Sequence, residues 1–149
     1  MSRDDLLLFM RSCRYAVQAS ISPSGAPQAA IVGIAVNDSF EIVFDTLDTT
    51  RKARNLGLRP AAAFVIGGGG PGDERTVQYE GIADRPEGQD LESAKAAYYA
   101  SFPDGRNRLS WPGLVYFRVR PTWIRYSNFN MNPPEILELH AAELRDPRR

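Results

Sequence analysis

The sequence predicts a mainly β protein, a β-barrel with a few helices, and three observations predict it. Hydrophobicity alternates with a period of two along most of the chain, turn residues recur between the alternating runs, and helical periodicity shows at only three places. Seven short runs read as strands, mostly in meander order, with one helix between the third and fourth and another between the fifth and sixth. Helices so few exclude alternating βαβ units and a doubly wound sheet.

Residues 2 to about 14 place Leu6, Leu7, Phe9, Met10 and Cys13 on one helical face, with Ser2 as N-cap and Asp4 and Asp5 in the first turn. From Tyr15 the period becomes two: Tyr15, Val17, Ala19 and Ile21 alternate with Ala16, Gln18, Ser20 and Ser22 before the turn at Pro23-Ser24-Gly25. A second strand spans 28–36, ends at Asn37-Asp38, and is followed by a third at 40–44. Residues 48–56 turn helical, capped by Asp48, Thr49 or Thr50, and Pro60 precedes a continuous apolar strand at 61–66 that reads as buried on both faces. Gly67 to Gly72 forms a flexible hairpin loop, and 76–83 alternates again, Val77, Tyr79 and Gly81 opposing Gln78, Glu80 and Ile82. The longest helix runs from Glu87 to about Phe102 on Leu91, Ala94, Tyr98 and Phe102. After a polar loop, 114–119 and 122–129 read as two strands broken at Arg120-Pro121, and a charged tail closes the chain.

The 149 residues suit one domain, with the barrel core at about 15–129, the N-terminal helix at about 2–14 and the tail at about 130–149. Eighteen basic and eighteen acidic side chains leave no net charge, which argues against nucleic acid or an anionic membrane surface as partner. A small ligand and a protein partner fit better. Cys13 alone cannot form an internal disulfide, and Cys13 with His140 is too small a set for a metal cage, so a reducing cytoplasm and no structural metal are expected. The acidic start lacks the basic n-region of a signal peptide, and no run reaches the ~20 apolar residues that span a bilayer.

Nucleophile-elbow, Walker A, HExxH and paired CxxC patterns are missing from the sequence. The Gly67 run lacks GxGxxG spacing and leads into a strand, so it is no phosphate loop. The informative stretch is Phe44-Asp45-Thr46-Leu47-Asp48-Thr49-Thr50-Arg51-Lys52-Ala53, where a strand ends and a helix begins. It gathers free backbone N–H groups, the positive end of the helix dipole, the hydroxyls of Thr46 and Thr50, and the cations Arg51 and Lys52. A phosphate monoester fits such a set. The plainer alternative makes Thr50 an ordinary cap and Arg51, Lys52 and Arg54 a solvated helix face, yet two cations at the end where the dipole opposes them call for a compensating anion.

This stretch resembles the flavin-phosphate motif of the pyridoxamine 5′-phosphate oxidase-like, FMN-binding split β-barrel family: Phe44, Thr46, Thr50, Arg51, Lys52, Ala53 and Pro60 stand at the matching spacings. Gly25-x-Pro27, Arg75-x-Val77 with Gly81, and Phe117-Arg118-Val119-x-Pro121-x-x-Ile124 match its flanks, over roughly residues 15 to 129. The resemblance implies a dimeric split barrel with flavins in clefts at the subunit interface. Arg51 and Lys52 would clamp the phosphate, and Thr46 and Thr50 would bond it or the ribityl chain. The backbone at Ile31, Val32 and Gly33 would lie along the isoalloxazine, and Thr76 falls where true oxidases carry a flavin-contacting Gln. The loop around Arg108 and Trp111 would come from the second subunit. Phe44 and Asp45 complete the candidate cofactor-binding set. Departures from the pattern matter too: Ala30 and Ala35 replace an Arg and a Lys of the true oxidases, and residues 136–149 lack the C-terminal Arg-Leu-x-Pro segment.

The expected function is therefore that of an FMN-binding protein, a flavin-dependent oxidoreductase with an unidentified small-molecule substrate, but not a true pyridoxamine phosphate oxidase. FAD or a deazaflavin would offer Arg51 and Lys52 the same phosphate, so a deazaflavin-dependent reductase stays open. A non-catalytic flavin-binding or stress-response protein is the alternative from another class.

Overall fold

Ser2 starts the first helix, α1 (Arg3–Ser12), through a reciprocal cap: its hydroxyl accepts from the Asp5 N–H and the Asp5 carboxylate accepts from the Ser2 N–H. In the computed structural model, which describes residues 1–145, α1 packs Leu6, Phe9 and Met10 into the core of a curled antiparallel sheet. The strands are β1 (Tyr15–Ile21), β2 (Pro27–Gly33), β3 (Ala35–Val36), β4 (Ile42–Leu47), β5 (Ala61–Gly67), β6 (Arg75–Asp84), β7 (Leu114–Asn128) and β8 (Glu135–His140). The other helices are α2 (Arg51–Leu58), α3 (Gly88–Ser101) and α4 (Ala141–Arg145), and a 3-10 turn spans Pro103–Arg108.

Across the sheet the order is β2-β1-β5-β6-β7-β4-β3, with β8 on β7 beside β4's end. β2 and β3 lie at opposite ends of that order, yet only Ile34 separates them in the chain. The sheet must therefore bend round until its ends meet, which is the split barrel. Inside it the rings of Phe44 and Phe117 stack at 5.5 Å, and Phe64 meets Tyr79 edge-on at 5.6 Å. The buried Tyr79 hydroxyl lies 3.0 and 2.8 Å from the carbonyls of Phe40 and Val119, and burial pushes its pKa up. A second cluster, Ala35, Val43, Ala94, Tyr98, Phe102 and Tyr116, seats α3 on the outer side of β3 and β4.

Five details differ from the sequence expectation. The 28–36 strand breaks at Ile34, because its first part pairs with β1 and its second with β4. The 40–44 strand begins later, at Ile42, since Asn37 holds a longer turn by accepting from the N–H groups of Ser39 and Glu41, and Phe40 takes φ 59° within it. Arg120-Pro121 does not end a strand: a register shift at Glu80/Gly81 lets Pro121, which has no N–H, sit opposite Gly81 in one continuous β7. β5 is not buried on both faces, since Val65 is 48% exposed, and Ile136 to Leu139 joins an additional strand, β8. The end of the charged tail, 146–149, lies outside the described residues.

Candidate functional site

α2 begins where Thr50 leaves the extended region: the Thr50 hydroxyl accepts from the Ala53 N–H at 3.3 Å and donates to the Leu47 carbonyl at 2.9 Å. Thr46, at the end of β4 on the same face as Phe44, brings its hydroxyl within 3.0 Å of that of Thr50. The first turn of α2 holds no acidic residue, and among the described residues no carboxylate comes within ion-pair distance of Arg51 or Lys52. The backbone N–H groups of Arg51 and Lys52 likewise have no acceptor among them. Two cations, two free N–H groups and a helix N-terminus thus share one corner of the molecule.

That corner is a cleft of about 320 Å³. Thr50, Arg51 and Lys52 form one wall; Gln28, Ala29 and Ala30 of β2 form another, and Gln18 and Ser20 of β1 the floor. Sequence reasoning missed Gln18, Ser20, Gln28 and Asn55. Asn55, 2% exposed on α2, donates to the Ser20 hydroxyl at 3.0 Å and to the Gln28 carbonyl oxygen at 2.9 Å, and Arg51 Nε donates to that same oxygen at 3.0 Å. The available signal was the β1 alternation itself. Gln18 and Ser20 are on the buried side of the strand, with Ser22 buried just after it, while Tyr15, Val17 and Ile21 face outward.

The other candidate residues stand elsewhere. Phe44 is wholly buried in the aromatic stack. Asp45 points to the opposite face of β4, where its carboxylate accepts from the Tyr98 hydroxyl and from Arg108 Nε, each at 3.0 Å. Burial and that carboxylate raise the Tyr98 pKa. Ile31, Val32 and Gly33 continue β2, the free edge of the sheet, beyond the cleft, with Ile31 pointing out at 73% exposed and Val32 inward. Thr76 pairs with Gly67 and Ser127 at the far end of β6, away from the residues that line the cleft. Trp111, half exposed, borders a separate cleft of about 280 Å³ with Leu91, Lys95 and Tyr116.

The fold is an antiparallel split barrel with two cations and a helix N-terminus at a strand-to-helix junction. The family model for pyridoxamine 5′-phosphate oxidase matches residues 3–128, and the chain belongs to that family. No curated protein gives a match. Solved structures share the fold. A heme binding protein from Mycobacterium smegmatis superposes with TM-score 0.81 at 19% identity, covering 97% of this chain and 60% of that one. This chain thus spans about three fifths of that protein. A pyridoxamine 5′-phosphate oxidase-related, FMN binding protein from Nostoc punctiforme gives TM-score 0.73 at 17% identity, covering 95% and 92% of the two chains. The General Stress Protein 26 from Bacillus anthracis gives 0.68 at 20% identity, covering 91% and 97%.

Proposed function

We propose that the chain is an FMN-binding protein, a flavin-dependent oxidoreductase, that holds the flavin phosphate at the start of α2. The observation that carries this reading is the pairing of Arg51 and Lys52 with the N–H groups of the same helical turn, none of which has a carboxylate partner or backbone acceptor among the described residues. Cations there are opposed by the helix dipole, so an anion between them relieves both charges and both unpaired donors. In this reading the Thr46 and Thr50 hydroxyls, which bond each other at 3.0 Å, would turn to the phosphate or the chain behind it when the ligand enters. A bound flavin would supply the hydride or electron transfer itself, which asks the protein only for binding, orientation and exclusion of water. In this reading Ile31, Val32 and Gly33 border the ring along the free edge of β2, and Thr76 and Trp111 reach flavin in the assembled dimer.

The Arg51–Lys52 cradle accommodates FMN, FAD or a deazaflavin, and FMN matches best because a terminal phosphate brings two charges to two cations. The family's founding oxidation is not proposed. Ala30 presents a methyl group to the cleft where a cation would serve, and Ala35 is 2% exposed under α3, leaving no charged partner at either place.

A homodimer completes the proposal. Val17 stands opposite both Ile31 and Val65, and Ala19 opposite Ala29 and Ala63, so an apolar patch spans the outer face of β2, β1 and β5. This face supports the pairing; toward the C-terminal end Trp111 and Phe129 are also exposed, whereas Tyr116 is 5% exposed and Trp123 is half-buried with its indole N–H donating to Glu138 at 2.7 Å.

The test is the absorbance of the purified protein and mass spectrometry of what it releases on denaturation. Two bands, near-ultraviolet and blue, with the mass of FMN are expected. A single violet band indicates a deazaflavin, and a Soret band would contradict the flavin reading. Turnover with a nicotinamide donor then separates an enzyme from a carrier.

A further inference from the structure

Resting on that flavin-phosphate reading, we propose that Gln28 and Asn55 are positioning residues for Arg51, holding its guanidinium by Nε so that the terminal nitrogens stay free for the phosphate. The atoms allow only one assignment. Arg51 Nε can only donate, so the Gln28 atom 3.0 Å from it is the carbonyl oxygen. The Asn55 atom 2.9 Å from that oxygen must then be the amide nitrogen, whose second hydrogen reaches the Ser20 hydroxyl at 3.0 Å. The chain Ser20–Asn55–Gln28–Arg51 links β1, α2 and β2, and its hub, Asn55, is 2% exposed.

Arg51 is the exposed end of this chain, and a free arginine on a surface loses substantial rotamer freedom when it captures a ligand. A guanidinium already fixed at Nε has less to lose, and its terminal nitrogens have no other partner among the described residues. The holding group is an amide, which fixes the arginine without cancelling its charge. A carboxylate at 28 would grip the same Nε and compete with the phosphate.

Two readouts test this, one of them free of flavin. In the ¹⁵N spectrum of the unliganded protein, the Arg51 Nε–H signal is expected to be ordered and slowly exchanging. It should turn mobile in Gln28→Leu and stay ordered in Gln28→Glu. In fluorescence titrations, Gln28→Leu is expected to weaken FMN by about tenfold, the low end for outer contacts that orient a ligand-binding group. It should weaken riboflavin, which has no phosphate, far less than FMN, and add nothing when Arg51 is already alanine. Gln28→Glu should also weaken FMN despite the ordered Nε. Asn55→Ala, checked for folding by its melting temperature, should behave as Gln28→Leu does. The proposal is overturned if Gln28→Leu leaves the Nε signal unchanged, weakens riboflavin as much as FMN, or weakens FMN equally with Arg51 removed. If the parent binds FMN no tighter than riboflavin, the flavin-phosphate reading fails, and the Nε signal alone still reports whether Gln28 holds Arg51.

Discussion

Asp45 and Arg108 meet at 3.0 Å with only 11% and 22% of their side chains exposed, and the Tyr98 hydroxyl bridges them, donating to Asp45 and accepting from Arg108 at 3.1 Å. Removing the carboxylate leaves a largely covered cation and a phenol without that acceptor. Asp45→Ala is expected to cost about 1 to 3 kcal/mol, measured as a fall in denaturant midpoint at constant slope. Gly81 sits where β7 crosses its bulge, and a methyl group there would collide with the Arg120 carbonyl and stand 2.8 Å from the Val119 side chain. Gly81→Ala should therefore destabilise by about 1 to 3 kcal/mol. On the surface, hydrogen bonds from Arg75 hold the Asp73 carboxyl at a pKa of about 2, below its ordinary 3.8. A depressed carboxylate pKa means the contact contributes above about pH 4 and is lost as pH falls toward 2. An NMR titration should place the Asp73 midpoint near 2 and move it back toward the ordinary range in Arg75→Met.

At the scale of elements, α2 is short, carries its cations at the wrong end, and is fixed by Thr50 and by Asn55 rather than by propensity. Thr50→Ala is expected to cost about 1 kcal/mol through the lost cap and to weaken FMN as well, while a cap elsewhere, Ser2→Ala, should cost stability alone. The cradle itself was legible in the sequence because its parts are contiguous: a strand end, a capping threonine and two cations within the six residues from Leu47 to Lys52. Its other wall was not. Gln18 and Ser20 appear in β1 as the polar half of a period-two run, and such a period fixes that the two halves part but not which half faces inward. Here the polar half is inside, because β1 borders the cleft on one face and presents an apolar surface on the other. Likewise, the single strand expected over 28–36 hid the crossing at Ile34 that closes the barrel, since continuity in sequence carries no information about a change of partner strand.

For the whole molecule, the outward Val17, Ile31 and Val65 make a monomer expensive, and light scattering should give twice 16.6 kDa at micromolar concentration. Ile31→Glu should shift that mass toward the monomer without unfolding the barrel. Turnover of pyridoxamine or pyridoxine phosphate should stay far below that of a true oxidase, because Ala30 and Ala35 offer no cation to offset desolvation of the substrate phosphate. The central claim is the phosphate cradle, and flavin titration of the apo-protein by fluorescence quenching tests it most directly. Arg51→Ala and Lys52→Ala should each lose about 1.5 to 3 kcal/mol, roughly ten- to a hundredfold in affinity, and the double variant should release the cofactor. Arg54, exposed on the same helix but three residues further from its N-terminus than Arg51, about 160° round from Lys52 and outside the cleft lining, should bind as the parent does when changed to alanine. If all three single variants kept the parent affinity, or all three lost it equally, the cradle would be contradicted and Arg51, Lys52 and Arg54 would be a solvated helix face.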